Sequence, residues 1–400
     1  MTLIARRLQR IAASPTLAMT KLSFELKAQG RSIITLSQGE PDFHTEPHVA
    51  EAGIQAIREN HTKYTAVDGM PEYKQAIIRK FARDNGLHFT PEQVIVSSAS
   101  KTILFNAALA LLDPGDEAII PAPYWVSYPD IVAAAEGVPV FVDCAQDDGF
   151  RLQPKALEAA ITPRTKLLIL CSPCNPTGAV YREQDFRALA EVLARHPRVV
   201  VMVDEIYEHL VYDGLTSPSF AACAPALQDR MLTVNGMSKG YAMTGWRLGF
   251  AGGPREVIRA IATVQSQNTS SPNEISQRAA IAALDGPQDF IARNQRLFQE
   301  RRDVAVAMLN AIPGLHCRTP EGAFYIFCGC AGVIGKRTPG GQRIESDTDF
   351  VYALLEHEGV AAVPGAAFGA SPFFRISYAL SLQTMQEAVR RIQRFCEALQ

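Results

Sequence analysis

Lys239 follows Ser238 and precedes Arg247 in the run Asn235–Phe250, directly after the apolar stretch Met231–Val234. The stretch reads as a short buried strand, so the lysine stands at a buried strand end. Burial disfavours an ammonium ion and lowers its pKa, and a neutral amine is what Schiff-base chemistry with a carbonyl needs. Ser238 offers a hydroxyl and Arg247 a planar donor fork, both suited to a phosphate.

Other residues extend this chemistry. Asp204 closes the apolar run Val199–Val203, where a carboxylate needs a cationic partner. A protonated pyridine nitrogen would serve, and a cap on a following helix is the plainer alternative. Tyr207 and Asn175 can bond a ring phenolate oxygen, and Trp125 can stack on a flat ring or simply fill a core. Ser98-Ala-Ser-Lys-Thr102 opens a predicted helix, so Ser100 and Lys101 stand where free N–H groups and the helix dipole attract an anion. A lysine-bound aldehyde carrying a phosphate fits the set, which points to pyridoxal 5'-phosphate. Arg375, in the strand-like Phe374–Tyr378, has no adjacent acid and suits a substrate carboxylate, unless a distant acid pairs with it. Gly39, before a Glu-Pro turn, allows close backbone approach or a plain turn.

Positioning these groups requires a scaffold. Strands are predicted at Gln93–Ser97, Ala118–Pro121, Val138–Val142, Lys166–Leu170, Val199–Val203, Met231–Val234 and Leu248–Ala251, all read as buried. Helices such as Lys101–Leu112 and Glu183–Arg195 fit between them. The alternation predicts an α/β fold with a mainly parallel seven-stranded sheet covered on both faces. Ligands in such sheets sit beyond the carboxyl ends of the strands, and five of these strands are followed by polar or aromatic candidates. From about residue 290 the pattern changes to a smaller α+β unit, with a Gly-rich loop over 328–343 expected as a surface excursion. The predicted division is a large domain, 46–289, and a small one built from 1–45 and 290–400.

Bulk properties narrow the function. The chain has 400 residues and a net charge of -2, from 39 basic and 41 acidic residues, without a basic stripe. Nucleic acid and membrane are therefore not expected partners. The acid-free N-terminus reads as a helical arm rather than a leader. Cysteines number 8 and are scattered, which fits a reducing cytoplasm. Cys171 and Cys174 have thioredoxin spacing but precede Asn-Pro-Thr-Gly, so they read as packing residues. No Walker A loop or Gly-x-Gly-x-x-Gly fingerprint occurs in the right context. Glu205 and His209, spaced four apart, lack the partner a zinc helix needs.

The segments Ser238–Phe250, Ser172–Gly178, Val203–Tyr207 and Phe374–Tyr378 together resemble the four hallmark segments of class I pyridoxal-phosphate-dependent aminotransferases, in the same order. The resemblance covers essentially the whole chain. It implies the fold-type-I architecture and a homodimer with sites at the subunit interface. It implies that Lys239 forms the Schiff base and shuttles the proton, that Asp204 pairs with the pyridine nitrogen, and that Tyr207 and Asn175 bond the ring oxygen. Trp125 would stack on the ring. Ser100, Lys101, Ser238 and Arg247 would hold the phosphate, with Tyr64 reaching that of the partner subunit. Arg375 and the Gly39 backbone would hold the α-carboxylate.

Within the family, Ser14-Pro-Thr16, Gly39–Asp42, Pro123–Tyr128 and Thr269–Pro272 are most similar to the bacterial aspartate aminotransferases of subgroup Iβ. That likeness implies transfer from L-aspartate to 2-oxoglutarate, with Lys101 on the side-chain carboxylate and Thr16 among the substrate contacts. Ala12 stands where a basic residue assists prephenate-using relatives, and Cys174 replaces a usual asparagine. The alternatives are aromatic, alanine, methionine or prephenate/arogenate aminotransferases on the same fold, a β-lyase, or a non-catalytic relative.

Overall fold

The computed structural model describes residues 3–11 and 15–400, so Ala12 and Ser14 lie outside the described residues. Seven strands form the main sheet: β1 (Val94–Ser97), β2 (Glu117–Ala122), β3 (Val138–Asp143), β4 (Thr165–Cys171), β5 (Val200–Asp204), β6 (Met231–Gly236) and β7 (Gly249–Gly252). Their spatial order is β1-β7-β6-β5-β4-β2-β3. The pairs β2–β3, β2–β4, β4–β5 and β5–β6 are parallel. β7 runs antiparallel to both neighbours. Two reversals leave β1 pointing the same way as the parallel set, so its carboxyl end lies on the same edge.

The central strands are apolar throughout because both faces are covered. Leu168, Leu170, Val201 and Val203 enter one core, while their chain neighbours Leu167, Ile169 and Met202 enter another. That alternation is the two-residue period of a strand. The expectation that Val138–Val142 is buried needs correcting. β3 is the edge strand, and Val138 and Phe141 are 45% and 49% exposed. Apolar content alone does not distinguish an edge from a centre, although Pro139, with no N–H to donate, suits an edge.

A third core joins Met19 and Leu36 to Phe324, Ile326, Val360, Phe374, Ile376 and the helix Leu382–Ala398. Its sheet pairs Tyr325–Gly329 with Phe373–Ser377 and with His316–Cys317, all antiparallel. Ile34–Thr35 pairs in parallel with Val360–Ala361. The helix Asp289–Asn310 links the cores: Phe290 packs under the main sheet, Phe298 and Leu309 in the third core. Tyr207 and Leu210, just past β5, also join the third core. The 328–343 segment is only in part the expected surface excursion: Cys328, Cys330 and Val333 are buried in the third core, and residues 339–343 are exposed. Arg337 and Gln400 exchange backbone hydrogen bonds of 2.8 and 2.9 Å there, and no residue of the segment lines the cavity described below. No helix among the described residues is long and apolar enough to cross a membrane.

Candidate functional site

A cavity of about 290 Å³ lies at the carboxyl edge of the main sheet, against the third core. It is lined by Thr16, Gly39, Ser100, Lys101, Trp125, Asn175, Asp204, Tyr207, Ser238, Lys239, Arg247 and Arg375. Of the residues singled out from sequence, only Tyr64 does not line it. Tyr64 is 93% exposed.

Topology explains the convergence. β1 ends just before the helix Ser100–Leu111, whose first residues face the cavity. β2 leads to Trp125, β4 to Asn175, β5 to Asp204 and β6 to Ser238 and Lys239. The helix start can sit flush against β6 and β7 because Gly236 and Gly249 are bare. A Cβ on Gly236 would collide with the Ser100 hydroxyl, and one on Gly249 with the Ser100 backbone nitrogen. The Ser100 hydroxyl donates to the Asn235 carbonyl at 2.8 Å, so its backbone N–H is the donor it leaves for an anion. Ser238 is buried beside it. Arg247 is exposed, in a left-handed conformation with φ of 56°, and its Nη1 donates to the Thr244 carbonyl at 2.8 Å.

Lys239 donates from Nζ to the Gly39 carbonyl at 2.6 Å. Burial, then Arg247 and Arg375, bring its pKa down to about 8, against the opposing pull of Glu40 and Asp204. A sizeable share of neutral amine therefore exists near neutral pH. Asp204 is buried, and burial raises its pKa to about 6 despite the hydrogen bond from Tyr128. The Tyr128 hydroxyl donates to Oδ2 at 2.9 Å and the Ile206 N–H to Oδ1 at 3.3 Å. Residues 206–209 form a turn rather than a helix, so Asp204 caps no helix there.

The Tyr207 and Tyr325 hydroxyls share a hydrogen bond of 2.9 Å. Arg375 is buried between the rings of Tyr325 and Phe368, with its guanidinium carbon 4.5 and 4.9 Å from their centroids. It donates to Asn175 Oδ1 at 2.9 Å and to the Ser37 carbonyl at 2.6 Å, and its Nε has no partner. Its hydrogen bonds go only to neutral oxygens, which removes the distant-acid alternative among the described residues. Burial lowers its pKa. Lys101 holds its amine 4.8 Å over the Trp125 ring. Desolvation and Arg247 lower its pKa, and Asp130 opposes them. The Thr16 hydroxyl, in the first turn of the helix Pro15–Ala28, is buried without a partner and lines the same cavity.

Among the lining residues without a role assigned from sequence are two tyrosines bonded to assigned ones, Tyr128 and Tyr325. Tyr128 stands in the first turn of the helix Ser127–Ala134, with its N–H donating to the Trp125 carbonyl at 3.0 Å and its ring edge-on to Trp125 at 5.3 Å. Tyr325 sits in a run that reads as plain core strand. Cys171 and Cys174 are buried and unbridged, as packing residues would be. The candidate metal-type cluster among the described residues is Asp84, Glu208 and His209, not a site built on Glu205, and the Lys80 amine already pairs with Glu208 there.

The donor set suits a flat heteroaromatic ring bearing an aldehyde and a phosphate. Tyr128 and the Ile206 N–H each donate to one oxygen of Asp204, and the remaining lone pairs suit a ring cation. The start of the helix Ser100–Leu111, Ser238 and Arg247 line the cavity together and supply donors suited to the phosphate, and Lys239 lines it as well.

A family model described as "Aminotransferase class I and II" matches residues 31–392. The chain belongs to this family and is an aminotransferase. It is 55% identical to an aspartate aminotransferase of Rhizobium meliloti (strain 1021) over 395 residues, covering 99% of this chain and 96% of the relative. It is 54% identical to an aspartate/prephenate aminotransferase of Cereibacter sphaeroides, covering 100% of both. The crystal structure of the aspartate aminotransferase from Rhizobium meliloti superposes with a TM-score of 0.97 at 55% identity, covering 100% of both chains. The aspartate aminotransferase of Thermus thermophilus with maleate gives 0.92 at 41% identity, covering 99% of this chain and 100% of that one.

Proposed function

We propose that this aminotransferase moves the amino group of L-aspartate to 2-oxoglutarate, using pyridoxal 5'-phosphate held in the cavity at the sheet edge. The observation that carries this reading is Arg375, a buried guanidinium bonded only to neutral oxygens, facing one cavity with the Lys101 amine. A dicarboxylate satisfies both cations. The Thermus relative was solved with maleate, a four-carbon dicarboxylate of that kind.

When bound, pyridoxal phosphate supplies an electron sink for the bond electrons released at the substrate α-carbon. Asp204, oriented by Tyr128, would pair with the ring N–H. Asn175 and Tyr207 would hold the ring oxygen, Trp125 would cover a ring face, and Ser238, Arg247 and the Ser100 helix start would hold the phosphate. Arg375 grips the α-carboxylate and thereby points the α-hydrogen at Lys239. The Lys239 amine, with a pKa brought down to about 8, would accept that proton and hold it for return. Its depressed pKa keeps the donor and acceptor forms close in energy near neutral pH.

We place the working unit as a homodimer in the cytoplasm. Tyr64 supports the dimer: its ring is almost fully exposed and has no role in its own cavity, so it is free to reach a partner's phosphate. The free thiols of the eight cysteines suit a reducing compartment.

Lys101→Ala tests substrate choice. The expected loss in kcat/KM for aspartate is about tenfold to a hundredfold, the worth of one hydrogen bond to a charged group. Alanine, which has no side-chain carboxylate, should lose little. Equal losses for both would remove Lys101 from specificity. A second reading, amination of prephenate, is favoured by the name of the Cereibacter relative. Prephenate in the same acceptor series decides it.

A further inference from the structure

Asp204 faces the cavity from the end of β5, and Tyr207 from the segment after it, which has no regular structure of its own. After β5 ends at Asp204, residues 205–210 form only turns. The reverse face of this segment carries Glu205, Glu208 and His209, and all three point into the body of the protein. Glu205 Oε1 accepts from the Ser219 hydroxyl at 2.9 Å and the Phe220 N–H at 3.1 Å. Glu208 pairs with Lys80, a side chain with no exposed surface at the end of the helix Pro71–Lys80. Lys80 also donates to Asn85 Oδ1 at 2.7 Å, and Asn85 Nδ2 donates to Glu208 Oε2 at 2.6 Å, closing a ring of three side chains. Asn85 and Asp84 reach this point because the chain continues into a π-helical turn, Phe81–Asn85, stopped by Gly86 in a left-handed conformation with φ of 65°.

His209 links the turn to the second functional segment. Its ring lies against Gly240, the residue after Lys239, so closely that a Cβ there would stand 2.8 Å from His209 Cδ2. The same ring meets Tyr241 edge-on at 5.5 Å. Burial holds the imidazole pKa below its ordinary value, so the ring acts here as a neutral spacer. The Lys80 charge, with the hydrogen bonds from Lys80 and Asn85, outweighs burial at Glu208 and holds its carboxyl down at about 2, so the pair stays ionised at working pH.

We propose that the Lys80–Asn85–Glu208 ring, extended by His209, forms a buried post that sets the positions of Tyr207 and Lys239 relative to each other. A fully buried ion pair is a poor way to gain stability, because desolvation offsets its attraction. Its ring of hydrogen bonds instead holds an otherwise irregular turn in one place, and His209 transmits that place to Gly240. These are positioning residues: none of them lines the cavity. The proposal rests on the cofactor reading given above.

The test replaces the whole ring by apolar groups, Lys80→Met/Asn85→Leu/Glu208→Leu, in the cofactor-loaded enzyme. Such replacement strands neither an ion of the ring nor the buried Asn85 amide, so the fold is kept. The expected result is a near-native melting temperature, kcat for aspartate lower by about tenfold to a hundredfold from misplacement alone, and KM little changed. The visible circular dichroism of bound pyridoxal phosphate should also change, since it reports how the ring lies against its neighbours. A stable variant with wild-type kcat and wild-type dichroism overturns the proposal. Gly240→Ala supplies an independent arm if the apolar variant does not fold. It should lower kcat and alter the dichroism, and adding His209→Ala should restore both; failure to restore them overturns the proposal. A wild-type protein that shows no visible band with pyridoxal phosphate would instead refute the cofactor reading, which is a separate outcome.

Discussion

Lys239→Ala is expected to lose transamination by about four orders of magnitude or more, the upper range of one positioned acid–base group. It should still bind pyridoxal phosphate through the phosphate and ring contacts. It should not be fixed to it by borohydride, whereas the wild-type protein should. The wild-type apoprotein adds a pH signature. Its amine titrates at about 8 instead of the ordinary 10.5, because burial and two arginines disfavour the ammonium. Capture of the aldehyde needs the neutral amine, so the capture rate should climb as pH rises through about 8 and level off above it. A midpoint near 10.5 would mean that Lys239 is solvated like a surface lysine. Residual borohydride fixation in the variant would mean that another amine carries the cofactor.

Asp204→Asn is the second large effect, and it should move activity and apoprotein stability in opposite directions. The carboxyl titrates at 3.8 when unperturbed and at about 6 in the fold. The folded state therefore holds the proton more tightly than the unfolded chain. The resulting penalty grows as pH rises from about 4 to about 6 and is complete above that. At neutral pH it amounts to roughly 3 kcal/mol. An amide of the same shape keeps the Tyr128 hydrogen bond without the buried charge, so the apoprotein should melt higher. The loaded enzyme should nevertheless lose about a hundredfold to a thousandfold in kcat, the usual cost of removing one fixed electrostatic partner. Were Asp204 only a structural residue, the substitution would lower the melting temperature and leave kcat nearly intact.

The scaffold was legible in the sequence because buried parallel strands are short, apolar and separated by amphipathic helices. Strand ends such as Val203-Asp204 and Val234-Asn235 stand out when a polar residue follows an apolar run. The antiparallel placement of β7 was not legible, because pairing direction leaves no mark on composition. Neither was the edge position of β3. The candidate site was readable wherever a polar group broke an apolar pattern: Lys239, Asp204 and Arg375. Tyr325 was not, since a tyrosine in an apolar run looks like core. Its hydroxyl reaches Tyr207 only through a fold that joins residues more than a hundred positions apart. Lys80 and Glu208 were invisible for a similar reason. On a helix and a loop they read as ordinary surface charges until packing removes them from water.

One measurement addresses the central claim most directly. Purified protein loaded with pyridoxal phosphate is mixed with L-aspartate in the absence of any 2-oxo acid, and the products are counted. Transamination predicts close to one oxaloacetate per chain, no free ammonia, and recovery of the original spectrum on adding 2-oxoglutarate, with glutamate formed. Continuous release of ammonia, or no oxaloacetate while another amino acid reacts in its place, would contradict the account.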